Sequence, residues 1–432
     1  MNINCMKKYN LIIMVLVVCS FFACDDDNKE PKEAWNPGAI GEYAITPING
    51  GATITYTIPN DPNILYIMAE YERNGKIFTE KSSVHKNSLT IEGFHRVDKV
   101  KAILYKVNRE EQKSEPLTVE FEPLESLIDI AQKSLKLQPA FGGIIAAWDN
   151  PKTTEFGVRL MVKDTIGNSD QLLTSEMYYS AFKNEKHSFR GFDAKKTTFA
   201  VAFEDKWGNI SDTTRFTTTP FFETMVPKPY ADFRSTIPYD NTSNLSTTQF
   251  SIGFLWDNKV NSSGHGWLSK SGESGLSITI DLKQVAKLSR IVRHPYHVNS
   301  LYGQANITDF EAWGIDKIDY DKIADKSYWL DSLSVRWGAI HGVNPTTVLP
   351  SKTFKDDWQY LGRNTVPLGL TSTEQNEMSA NGVESDVPVD AKPVRYVRIF
   401  VRGVTLITPP PSGNYFSSSE FTFYGDNTVP QN

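Results

Sequence analysis

Cysteine is nearly absent: Cys5, Cys19 and Cys24 are the only three in 432 residues, and all lie near the N-terminus. Neither a disulfide framework nor a thiolate metal site can therefore hold the body of the chain, which must be stabilised by burial. Long apolar runs are also missing. Leu11–Phe22 is apolar throughout most of its length, but it is shorter than the roughly 20 residues of a membrane-crossing helix. No Lys/Arg-rich block occurs, and the net charge is −6, so nucleic acid is excluded as a partner. The chain has no His-Glu-x-x-His zinc pattern, no Gly-x-Ser-x-Gly elbow and no Gly-rich phosphate loop, which removes the commonest hydrolase and nucleotide-binding classes. His294 and His297 stand three apart, but Pro295 between them argues against the helix face that such a metal pair would need.

What is present at the N-terminus reads as an export signal. Lys7 and Lys8 precede the apolar run, which ends in Phe22-Ala23-Cys24. This order resembles a bacterial lipoprotein processing site, with residues 1–23 as signal peptide and Cys24 as the lipidated residue. Acyl chains contribute about 0.8 kcal/mol per buried CH₂, so two or three hold a protein firmly on a membrane. Residues 24–38 form a tether whose acidic start, Asp25-Asp26-Asp27, cannot bury apolar surface.

From Ile40 onward the periodicity is that of strands. Thr53-Ile54-Thr55-Tyr56-Thr57-Ile58 alternates strictly, and Ile64–Tyr71, Val100–Val107 and Leu117–Phe121 follow with turn residues between them. No segment before Pro220 shows a capped helical period. Gly50-Gly51, Tyr56 and Pro59 recur at a constant shift as Gly142-Gly143, Trp148 and Pro151. Two tandem modules follow, at 39–124 and 125–222, with Tyr56 and Trp148 expected in their cores. The strand spacing and the repeat resemble fibronectin type III or immunoglobulin-like domains. Pro220, Pro227 and Pro229 mark a stiff linker.

The remaining chain, about 230–427, holds six of the nine Trp. Its expected strands are Ser277–Leu282, Leu288–Arg293, Asp309–Trp313, Leu333–Trp337, Val394–Val401 and Glu420–Gly425. The fold class is thus all-β, with three β-sandwich modules.

Several ordered segments carry a resemblance in this last module. They are Leu255-Trp256-Asp257-Asn258, then Ile278-Thr279-Ile280-Asp281-Leu282, then Asp309-Phe310-Glu311-Ala312-Trp313-Gly314, and finally Val394–Ile399 and Ser419–Gly425. Together they resemble the F5/8 type C, or discoidin-like, galactose-binding jelly rolls, with Asn258 where that family has Gly. The whole arrangement is similar to outer-membrane lipoproteins of starch-utilisation-type glycan uptake systems.

That resemblance implies a cell-surface, non-catalytic glycan-binding protein. Its partners would be a polysaccharide, the outer membrane through the lipid anchor, and components of a glycan transporter. Ligand residues in the family lie on loops at one end of the jelly roll. The corresponding loops hold His265, Trp267, Arg293, His294, Tyr296, Tyr302, Trp337, His341, Tyr415 and Phe416. Aromatic faces with Arg and His suit a sugar's C–H faces and hydroxyls. The resemblance also implies a structural Ca²⁺ between Asp257 and Glu420, against the alternative that Asp257 caps a turn and Glu420 pairs with an Arg. Two other readings stay open: an adhesin or assembly subunit binding protein or host matrix through the same module, and a hydrolase with carboxylates far apart in the chain.

Overall fold

The computed structural model describes residues 35–58, 60–163, 171–233, 236–244, 249–260, 265–270, 277–296, 301–303, 305–337, 344, 346–405 and 415–431, with the side chains of residues 336 and 337 excepted. Cys24 and the expected signal and tether lie outside them up to residue 34. The described chain falls into two compact units. One runs to Ile130 and takes in Asp205–Asn209; the other holds the remainder.

The first unit carries seven strands: β1 (Tyr43–Ile48), β2 (Gly51–Tyr56), β3 (Ile64–Arg73), β4 (Lys76–Ser83), β5 (Ser88–Glu92), β6 (Val100–Asn108) and β7 (Leu117–Phe121). They form two antiparallel sheets, β1-β2-β5 and β4-β3-β6-β7. Inward residues alternate along each strand, with Ile54, Ile67, Ala69, Leu89, Ile91 and Leu104 filling the space between the sheets.

The next module repeats this plan. Strands β8 (Lys136–Ala140), β9 (Gly143–Asp149), β10 (Phe156–Lys163), β11 (Leu172–Ser180), β12 (Asn184–Phe189), β13 (Thr197–Glu204) and β14 (Thr214–Thr218) give sheets β12-β9-β8 and β11-β10-β13-β14. The glycine pairs explain themselves in this geometry. Gly50 and Gly142 sit in the two-residue turns of β1–β2 and β8–β9 at φ of +65° and +64°, where L side chains are strained. Gly51 and Gly143 press against the neighbouring strand, where a Cβ would collide with the carbonyls of Ile91 and Phe189. Tyr56 and Trp148 are both buried, as expected.

One helix precedes β8. α1 (Leu127–Ser134) contradicts the reading of no helix before Pro220. It is only two turns long, so it shows little periodicity, but Ser126-x-x-Asp129 begins it. The Ser126 hydroxyl accepts from Asp129 N–H at 3.3 Å and donates to its carboxylate at 2.7 Å, an N-cap arrangement that was legible.

The third module contains β15 (Thr224–Met225), β16 (Ala231–Asp232), β17 (Trp267–Leu268), β18 (Ser277–His294), β19 (Ile307–Ile315), β20 (Gln359–Thr365), β21 (Val383–Asp386), β22 (Val394–Val404), β23 (Ser417–Ser418) and β24 (Glu420–Asp426). Its helices are α2 (Ser332–Trp337), α3 (Phe354–Asp357) and α4 (Ser372–Asn381). The two strands expected at 277–282 and 288–293 are halves of β18, which serves both sheets. Its first half pairs β16 and β22, its second half β24 and β21, and the register breaks between Asp281 and Ala286. Ile278, Ile280, Leu288, Ile291, Phe310, Val397, Ile399, Phe421 and Phe423 pack between the two sheets.

Two expectations change here. Residues 333–337 are helical, not a strand, because Asp331 caps the segment by accepting from Ser334 N–H at 2.8 Å. The proline-marked segment is no spacer either. Thr224 and Met225 pair with Gly425 and Tyr424 of β24, and Val226 is wholly buried in the third module's core. Prolines at 227 and 229 follow the short strand and so do not interrupt its ladder.

Outside the main core, residues within 316–335 and 354–358 cover the outer face of the β19–β22 sheet. Trp329, Phe354, Trp358, Tyr396 and Phe400 form a second cluster, with Trp313 packed against it instead of facing the main core. Arg398 lies against the rings of Trp329 and Phe354, 5.2 and 5.1 Å from their centroids, and donates to Asp240 at 2.6 Å. The second and third modules meet along charges. Arg190 of the second module bonds Glu223 at 2.9 Å and Asp386 at 2.5 Å and lies 3.5 Å from Glu384, which Arg290 of the third module also holds at 2.6 Å.

Candidate functional site

Backbone contacts define one end of the third sandwich. The last residue of β18 meets the approach to β24, with Ser419 N–H and Ser418 Oγ donating to His294 O at 2.9 and 3.0 Å. The Asn306 carboxamide clasps Tyr296, accepting from its N–H at 3.2 Å and donating to its carbonyl at 2.5 Å. Thr405 N–H donates to Asn306 O at 2.8 Å, and Ser269 N–H to Phe416 O at 3.0 Å. His265, Trp267, Arg293, His294, Tyr296, Tyr415 and Phe416 are thereby gathered at this end. Tyr302 joins them, since the adjacent Gly303 carbonyl accepts from Thr405 Oγ1 at 3.1 Å. Trp337 ends α2, but its side chain lies outside the described residues, as does all of His341.

Not all of these can face a ligand. Trp267 and Phe416 are fully buried and pack edge to face at 5.0 Å. The pairing of β17 with β23 turns both aromatics into the core, so neither offers a platform. Tyr296 and Arg293 are buried as well. Tyr302 is partly exposed, but its hydroxyl already donates to Pro367 O at 3.0 Å and accepts from Leu370 N–H at 2.8 Å. His265, His294, Tyr302 and Tyr415 remain part-exposed around the buried set.

A polar layer lies beside them. Asp257 accepts from Lys259 N–H at 3.0 Å and lies 2.9 Å from His265 Nε2. The Phe254 ring is 4.3 Å from that imidazole. Asn258 N–H donates to Glu420 at 3.3 Å, so the early loop and the C-terminal Glu do come together. Glu420 is nonetheless bonded to the Lys228 ammonium, which also donates to Thr422 Oγ1 at 2.9 Å. Burial pushes the Glu420 carboxyl upward, against the opposing pull of Lys228.

The contacts of these two carboxylates bear on the calcium expectation. Ca²⁺ takes roughly 6–8 oxygen ligands, whereas Glu420 is met by an ammonium and Asp257 by an imidazole and a turn N–H. Among the described residues no group of three or more His, Cys, Asp or Glu is placed to hold a metal. The donor set does not fit the ion. Asp257 does cap a turn, and the partner of Glu420 is Lys228 and not an Arg. Sequence reading missed Lys228, since a Lys between two prolines gives no local signal of a partner far along the chain.

His294 is held neutral. Burial first, and then the Lys228 charge, push its pKa down to about 4, and its Nδ1 has no partner. Arg293 is the most unusual group: no part of it is exposed, and among the described residues none of its three guanidinium nitrogens has a partner. Chemically this end offers hydrogen-bond donors and part-exposed rings. The carboxylates Asp257 and Glu420 are both engaged, which suits binding better than proton transfer. A cleft of about 640 Å³, lined by Asp316, Asp357, Gln359 and Lys392 among others, contains none of the expected ligand residues.

Three family models match in series, each described as a domain of unknown function: DUF4959 over residues 37–123, DUF5126 over 123–229 and DUF5000 over 256–425. No curated protein matches the sequence. Among solved structures, the SusE-like protein BT2857 is 20% identical, and the match covers 69% of this chain and 99% of that one with a TM-score of 0.35. CBM32-1 from a family 31 glycoside hydrolase of Clostridium perfringens is 12% identical over 46% of this chain and 95% of its own, with a TM-score of 0.25. A two-domain fibronectin type III segment of chicken tenascin is 12% identical over 42% and 98%, with a TM-score of 0.20. Among the described residues no helix is long and apolar enough to cross a membrane.

Proposed function

We propose that the protein is a non-catalytic, lipid-anchored surface protein that captures glycans through the loop end of its third module. The observation that carries this reading is the arrangement at that end. Part-exposed His265, His294, Tyr302 and Tyr415 are gathered there. A sugar offers what such a surface can meet, hydroxyls for the imidazoles and C–H faces for the rings. Engagement of Asp257 by His265 and of Glu420 by Lys228 leaves no free pair of these two carboxylates among the described residues for glycoside hydrolysis. The ordered segments of the third module and the Ala23-Cys24 junction add placement at the outer membrane beside a glycan transporter.

The test is a panel of soluble and insoluble polysaccharides presented to the mature chain, with release of reducing sugar followed alongside. Retention on at least one polysaccharide without hydrolysis is expected. Retention only on a protein ligand replaces this reading with the adhesin one, and sugar release replaces it with the hydrolase. Anchoring is tested separately: Cys24→Ala should move the protein from membranes to the soluble fraction, and continued partitioning into detergent contradicts it.

A further inference from the structure

Arg293 occupies an inward position of β18. Side chains alternate along a strand, so Arg293 shares the core-facing side with Ile291, and its cross-strand partner is the core residue Phe421. It is 0% exposed. A guanidinium carries five N–H donors and no acceptor, and all three nitrogens of this one are unpartnered among the described residues. Burial alone pushes its pKa down to about 9, so the side chain is still a cation at neutral pH. Trp267 Nε1, equally buried at the same end, is a second donor without an acceptor.

Two of the chain's other buried cations are paired with a carboxylate, whereas Lys106, 2% exposed, donates to the Pro37 carbonyl at 3.1 Å. Arg398, also 0% exposed, has the Asp240 carboxylate at 2.6 Å and two aromatic faces. Lys228 has Glu420. A buried charge persists when it is paired, and neutral water would satisfy the N–H groups of Arg293 while leaving the charge uncompensated. What the position lacks is negative charge in acceptor form.

We propose that Arg293 seats an anion at the loop end of the third module. The chemistry is that of a small anion or oxyanion meeting a guanidinium fork. Two sources share it: a free halide such as chloride, resident in the sandwich, or the carboxylate of an acidic sugar carried by the glycan, which reaches Arg293 only where the part-exposed residues around it move aside. The second source rests on the glycan-binding reading; the first does not.

Both are tested on the full mature chain. Melting is followed at constant ionic strength while chloride replaces methanesulfonate, and calorimetric titration compares oligogalacturonate with its carboxyl-reduced, neutral counterpart. A free-ion site raises the wild-type Tm with the logarithm of chloride concentration, and Arg293→Met abolishes the response. A ligand-borne anion gives wild-type affinity for the acidic oligomer at least about tenfold above the neutral one, as charge-assisted bonds provide. Arg293→Met removes that preference and Arg293→Lys retains part of it. Because both arms begin with wild type, a variant that fails to fold leaves the test intact. A wild-type protein indifferent to chloride and without preference for the acidic oligomer overturns the inference. If it still binds neutral glycans, the proposed function stands without the anion site. A chloride response with no glycan binding leaves the anion site without that function.

Discussion

Replacing Lys228 by Met removes one charge and little volume. The Lys228 and Glu420 side chains are 5% and 1% exposed, so the substitution leaves a carboxylate buried without its counter-ion. Breaking a buried pair from one side costs about 3–5 kcal/mol. For a module of this size each kcal/mol is worth roughly 2–4 °C, which places the expected loss at roughly 6–20 °C. The pH dependence has a definite sign. The folded-state pKa of Glu420 is already raised by burial, with Lys228 opposing the rise, and removing Lys228 raises it further. A carboxyl with a raised folded pKa contributes most below its unfolded range and loses that contribution as pH rises through the folded value. The deficit of Lys228→Met relative to wild type should therefore be small near pH 4 and grow towards pH 7. Adding Glu420→Gln should restore most of the stability at neutral pH. Scanning calorimetry of wild type, both single variants and the double variant at several pH values measures all of this. A deficit below about 1 kcal/mol at pH 7, or one that does not change with pH, would refute the buried pair as described.

Two further outcomes follow from the core. A fragment beginning at Pro229 lacks β15, the buried Val226 and Lys228, whereas one beginning at Phe222 retains them. The longer fragment should melt cooperatively and the shorter should aggregate or melt far lower, and equal melting of the two would show that residues 224–228 add nothing to the third module. Trp267→Ala should cost about 3–5 kcal/mol of stability, read by thermal melts, because the ring packs against Phe416 in the core; an unchanged Tm would return Trp267 to the surface.

Much of the fold was legible because two-sided burial writes a period of two into the chain. β7 matches its expected residues, and β2, β19 and β24 differ only at their ends. The repeated glycine pairs identified equivalent hairpins because each pair answers the same two steric demands. What escaped was non-periodic. Two-residue strands such as β15, β17 and β23 have no pattern of their own, so Thr224–Val226 read as linker and Trp267 and Phe416 as exposed loop aromatics. Their burial depends on pairing with distant segments. The helix at 332–337 was hidden by chance alternation of Leu333, Val335 and Trp337, while the cap at Asp331 decided the conformation. At the candidate site, the discoidin-like resemblance placed Asp257 near Glu420 and His265, Arg293 and His294 at one end. It could not show that Lys228 takes the charge of Glu420, or that Arg293 points inward.

The central claim is that the loop end of the third module holds the glycan. Calorimetric titration of the mature wild-type chain and of His265→Ala/Tyr415→Ala, using whichever polysaccharide the panel identifies, tests it directly. Both residues are part-exposed, and loss of binding-site contacts of this kind weakens affinity by about tenfold or more with the melting temperature nearly unchanged. Wild-type affinity in the double variant would contradict the claim and move the glycan site elsewhere on the chain.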